Sequence, residues 1–152
     1  MAKTTKPRLS TAEKEAIVEG AFSLIEEPAN WTHGTWKCPV YKTDEKGHML
    51  KDESGHPIPE YDRYNRPLAQ YCIEGAVNQA SFNVLGETRA RRFGVREDNS
   101  DMTERLGLDE LTRKLYPDYE CAMDYNDGAR SHEGIVTLLQ TRLKELRTKL
   151  RR

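Results

Sequence analysis

The stretch PLAQYCIEGAVNQA, residues 67–80, decides how this chain is read. Leu68, Ala69, Cys72, Ile73, Ala76, Val77 and Ala80 recur at i, i+1, i+4, i+5, i+8, i+9 and i+12. That spacing lays a continuous apolar stripe along one face of a helix. Pro67 suits the first helical position, where a backbone N–H would have no partner anyway. The pattern predicts a buried helix from Pro67 that ends near Gly86 or runs on to Phe93. Gly75 and Ala76 are small, so a second backbone can approach closely there.

Two further segments can cover that stripe. Ser10-Thr11-Ala12-Glu13 has the capping-box form, in which the Ser10 hydroxyl and the Glu13 carboxylate each satisfy a backbone N–H. Ala16, Ile17, Ala21, Leu24 and Ile25 then share a face until Pro28, which predicts a helix over 10–27. Near the other end, Ser131 is an N-cap and Glu133 lies in the first turn, where the helix dipole favours a negative charge. Ile135, Leu139, Leu143, Leu146 and Leu150 form a seam flanked by Val136 and Leu138. Such a seam packs against another helix, either of this chain or, in a homo-oligomer, of a second copy.

Between these segments the signals are shorter. Asp101 and Glu104 predict a second capping box and a helix over 101–116, carrying Leu108, Leu111 and Leu115 and ended by Tyr116-Pro117-Asp118. Residues 86–105 are rich in charge and read as an exposed connection, helical in its first part. From Asn30 to Asn65 the helical period disappears. Asp44-Glu45-Lys46-Gly47 and Asp52-Glu53-Ser54-Gly55 are turn signals, and no internal repeat is read. The expected fold is mainly α (small α+β), with three to five helices around one core and an irregular loop or short β-hairpin as a cap. Residues 1–9 are expected to be a disordered basic lead-in and 10–152 a single globular domain.

Composition narrows the function classes. The 152 residues suit one domain, and with 36% hydrophobic residues the core must come from those few patterned segments. A net charge of −1 gives no global attraction to nucleic acid or to an anionic membrane. Cys38, Cys72 and Cys121 are an odd, scattered set without a CxxC pair, unlike a secreted disulfide scaffold. No signal-like apolar run and no membrane-spanning stretch occur, so a cytoplasmic location and no membrane partner are expected.

Candidate sites are few. Asn126-Asp127-Gly128 reads as a loop before the last helix; with Ser131 it could hold a ligand, or simply form a tight turn that aligns that helix. Cys72 could be a nucleophile only in a setting that favours thiolate, and within an apolar stripe a cysteine acts as a small hydrophobe. Cys38, Cys121, His33, His48, His56 and His132 are ligand types without zinc-like spacing, so neither a metal nor a cofactor is expected. No Walker, GxGxxG or GxSxG pattern supports catalysis, and no catalytic residue is assigned. Trp31, Trp36, Arg89, Arg91 and Arg92 are candidate interaction residues. Local basic patches such as that arginine trio could contact nucleic acid, the second reading. A small enzyme or ligand binder centred on Asn126 and Asp127 is the third. The leading expectation is a non-enzymatic accessory or regulatory protein acting through an unknown protein partner.

Three segments, taken in order, resemble a known family. They are Ala21–Glu27 running into Trp31-Thr32-His33-Gly34, then Tyr71-Cys72-Ile73-Glu74-Gly75-Ala76, then Tyr125-Asn126-Asp127 with Arg130-Ser131 and Val136-Leu138-Leu139. They resemble a family of small actinobacterial and actinophage proteins of unknown function. Its pattern is Trp-x-x-Gly, aromatic-Cys-x-x-Gly-Ala, and an Asn-Asp loop before a terminal helix. Tyr125 stands where that pattern has Trp, and the 86–105 stretch is longer than usual. The resemblance brings no established activity with it; it bears on fold and cellular context, and a phage origin implies a host-directed or regulatory role.

Overall fold

In the computed structural model of the chain, residues 8–33, 37–61, 69–96 and 99–151 are described. Among them the order is α1 (Thr11–Ile25), a 3-10 turn (Pro28–Asn30), β1 (Lys37–Pro39), β2 (Ala69–Tyr71) and α2 (Ile73–Leu85). Then follow α3 (Glu87–Arg92), α4 (Met102–Arg105), α5 (Leu108–Leu115), α6 (Ala122–Gly128) and α7 (His132–Leu150). The fold is mainly α, as expected, although seven helices replace three to five among the described residues. Glycines divide two of the expected helices, and a segment expected as a loop is helical.

The capping box at α1 forms as predicted: Glu13 N–H donates to Ser10 Oγ at 3.0 Å, and Ser10 N–H to Glu13 Oε1 at 2.9 Å. Behind it Ile17, Val18, Ala21 and Ile25 are fully buried. α1 is the central helix, packed by α2 and by α7. A close approach of α1 to α2 falls at Gly20 and Ala80, where a Cβ on Gly20 would lie 3.1 Å from that of Ala80.

Of the predicted stripe, Cys72, Ile73, Ala76, Val77 and Ala80 are buried, each large aliphatic one worth about 1.5–3 kcal/mol. The helix, however, begins at Ile73 rather than Pro67, and Pro67 and Leu68 lie outside the described residues. Ala69–Tyr71 is instead a strand, antiparallel to β1 with Tyr71 opposite Lys37. Two bonds, one local and one tertiary, stop the helix from extending backwards. Cys72 is extended and its Sγ accepts the Gly75 N–H at 3.3 Å, while Tyr71 C=O is taken by Thr32 N–H at 3.0 Å.

Gly86, at φ +81°, ends α2, and α3 restarts at once. Ala90, Phe93 and Val95 are buried, so 86–105 is partly anchored in the core rather than an exposed connection. The expected helix over 101–116 splits at Gly107, whose φ of +79° breaks the helical run. The Arg142 side chain lies on that glycine, and its Nε donates to Leu106 C=O at 2.6 Å. Asp101 does not cap with its side chain, which instead pairs with Arg105 at 2.9 Å. In α7, Ser131 caps as expected, and Ile135, Leu139, Leu143 and Leu146 are buried against the chain's own helices. Only Leu150 of the seam is exposed.

Residues 40–61 hold a three-leaved excursion that was expected as a loop or short hairpin. Leu50 N–H donates to Lys42 C=O (2.9 Å), Ile58 N–H to Leu50 C=O (3.1 Å), and Lys42 N–H to Ile58 C=O (2.8 Å). The three bonds close a ring whose members stand eight residues apart. Two leaves are the same turn: Asp44 Oδ1 accepts from Lys46 and His48 N–H, and Asp52 Oδ1 from Ser54 and His56 N–H. Gly47 and Gly55 both sit at φ +82°. Thus Asp-Glu-x-Gly-His at 44–48 and 52–56 is an internal repeat, contrary to the expectation of none. Apart from Trp31 and Ala69 at its margins, no described residue from 31 to 69 joins the hydrophobic core.

Candidate functional site

Asn126 and Asp127 lie inside α6, not in a loop. Tertiary bonding explains why a sequence that reads as a turn is helical here. Asn126 is fully buried; its Oδ1 accepts from Trp31 Nε1 at 2.9 Å and from Ile73 N–H at 3.1 Å. Its Nδ2 donates to Thr32 C=O at 3.2 Å and to Asp127 Oδ1 at 3.1 Å. Both lone-pair sites and both amide protons are therefore engaged by the chain itself. Ile73 N–H is one of the orphan donors at the start of α2, so a side chain from α6 caps α2.

Around this junction the other candidates gather. Trp31 is half-buried, with the His33 and His132 rings each 5.7 Å away. His132 Nε2 lies 2.6 Å from Ile25 C=O, which requires the ring proton on Nε2 and ties the start of α7 to the end of α1. Ser131 Oγ accepts the Gly134 N–H at 3.0 Å and so serves as the N-cap of α7. Asp127 is half-buried beside Asn126. Trp36 lies outside the described residues.

Cys72 borders the same junction, and a helix N-terminus would ordinarily favour its thiolate. Burial outweighs the N–H donors and pushes its thiol up to about 11, with the Glu74 and Asp127 charges adding to the rise. Burial raises Cys121 as well. Among the described residues no group of three His, Cys, Asp or Glu side chains could hold a metal ion.

A tyrosine cluster, invisible in the sequence, locks α6 to α7. The Tyr116 and Tyr125 rings stack at 3.9 Å, and Tyr119 meets Tyr125 edge-on at 5.2 Å. Tyr116 Oη donates to Gly134 C=O at 2.9 Å, and the Tyr125 hydroxyl fills the space a Cβ on Gly134 would need. Burial, then the bond to Tyr125, pushes the Tyr116 phenol up to about 12. The signal available in advance was Gly134 within an otherwise good helix-forming segment.

The arginine trio does not act as one basic patch. Arg89 makes a two-pronged ion pair with Glu13 and lies over Phe93. Arg91 pairs with Glu87 at 3.2 Å and lies over Phe82. Arg92 is exposed, without an ion-pair partner among the described residues.

No described helix is long and apolar enough to cross a membrane. No family model matches the chain, and neither a curated protein nor a solved structure matches it.

Proposed function

We propose that this chain is a non-enzymatic accessory or regulatory protein that acts by contact with another protein, and that the 40–61 excursion carries the contact. One observation supports the reading above others. The excursion adds nothing to the core yet holds Met49, Leu50 and Tyr61 at 47%, 40% and 45% exposure. Large apolar side chains held out on a hydrogen-bonded frame are what a docking partner covers. The engagement of Asn126 by Trp31, Thr32 and Ile73 argues against the ligand-binding reading of that residue. A host protein is the partner that the family resemblance favours, met in the cytoplasm.

The test compares capture of a partner from host cells by the wild-type chain and by Met49→Asp/Leu50→Asp. Both positions lie outside the core, so the fold and its unfolding midpoint stay unchanged. The reading expects one stoichiometric partner that the double variant loses. Equal capture by both proteins, or none by either, overturns it.

A further inference from the structure

The tertiary fold brings together cations that are far apart in the chain. Arg8 and Lys14, at the start of α1, and Arg105, from α4, line an open groove of about 400 Å³ together with Leu9. Arg142 and Lys149, on α7, lie close enough to act on Lys14. Among the described residues no carboxylate lines the groove. Glu13 is engaged by Arg89, Asp101 by Arg105 and Glu145 by Arg142. Arg8, Lys14 and Lys149 have no ion-pair partner among the described residues.

We propose that this groove binds the phosphodiester backbone of a nucleic acid, gripping charge rather than reading sequence. Arg8, Lys14 and Lys149 are the free cations, while Arg105 and Arg142 reinforce their field. Like-charge crowding that Asp101 and Glu145 offset only at Arg105 and Arg142 is a cost that a bound polyanion relieves. Lys14 feels it: loss of solvent first, then Arg142 and Lys149, holds its ammonium below the ordinary lysine value. The groove is open to solvent, which suits a polyanion lying across it better than a small molecule needing enclosure on several sides. Neither α3 nor the 40–61 excursion lines it, so this site is separate from the proposed protein contact.

The experiment is fluorescence anisotropy of a labelled 20-nucleotide DNA titrated with full-length protein at several salt concentrations. Arg8→Ala/Lys14→Ala is compared with Lys46→Ala, a cation on the 40–61 excursion, which does not line the groove, with circular dichroism confirming the fold. The proposal expects affinity that falls as salt rises. It expects at least about 10-fold weaker binding by the double variant, a salt slope smaller by about 2, and no change for Lys46→Ala. Inorganic tripolyphosphate is titrated in parallel. Absence of DNA binding, an unchanged double variant, or binding of tripolyphosphate alone overturns the proposal.

Discussion

Asn126 accepts the indole N–H of Trp31 at 2.9 Å, across 95 residues of chain. The same oxygen takes the first N–H of α2, and the amide nitrogen reaches Thr32 C=O. One buried side chain thus joins α6, the Trp31-Thr32 segment and the start of α2. A buried polar group in this position specifies a single arrangement because every alternative leaves a donor or acceptor without a partner. Asn126 organises the fold instead of waiting for a ligand.

The pair between Glu13 and Arg89 has a pH signature. Glu13 is held at about 2, first by the hydrogen bond from Arg89 and then by the Ser10 backbone N–H. A depressed carboxyl pKa contributes stability above its unfolded value near 4.5, and that contribution is lost as pH falls towards 2. Glu13→Gln keeps an acceptor for Ser10 N–H but loses the ion pair. It unfolds at lower urea than wild type at pH 7, and the gap closes between pH 5 and pH 2. A gap that stays constant with pH contradicts the assignment.

Cys72 should resist modification. In a Cys38→Ser/Cys121→Ser background at pH 8, a thiol reagent should label it only as fast as the protein opens, and at once in denaturant. Its complete burial and a pKa pushed up to about 11 both require this. Rapid labelling of the folded protein means that the band ahead of α2 is open to solvent.

Gly134 is where α7 yields to Tyr125. A Cβ there would fall 1.8 Å from the Tyr125 hydroxyl oxygen and 2.7 Å from Cζ, both within a stacked ring system. Gly134→Ala should destabilise by about 2–3 kcal/mol in urea unfolding, despite the better helix propensity of alanine. Tyr125→Phe in the same chain should recover part of that loss. A stabilised Gly134→Ala variant means that the α6–α7 packing is wrong.

What could be read in the residues was whatever is local. Ser10 with Glu13, and Ser131 at the head of α7, are patterns of three residues, and both caps form. The apolar spacing at Ile73–Ala80 and Ile135–Leu146 marked buried faces because burial is what selects that spacing. The start of α2 was misread because a proline that suits a helix start precedes a strand, and Cys72 supplies the cap. Asn126-Asp127-Gly128 reads as a turn by propensity, and only partners 53 to 95 residues away make it helical. The ring of the 40–61 frame is made of backbone bonds, which no side-chain pattern announces. Its Asp-Glu-x-Gly-His repeat stands in the sequence, yet reads as two separate turns while the eight-residue spacing is overlooked. Arg8 and Lys14 are close in sequence, and only folding brings Arg105 and Lys149 near them.

The most direct measurement is a double-mutant cycle on Trp31→Phe and Asn126→Ala, followed by urea unfolding. Asn126→Ala leaves the Trp31 indole, Ile73 N–H and Thr32 C=O unpaired and should cost about 3 kcal/mol. The two changes together should cost less than their sum by about 1 kcal/mol, since each removes the same bond. If Asn126→Ala unfolds with wild type and the two effects simply add, Asn126 does not hold the fold together.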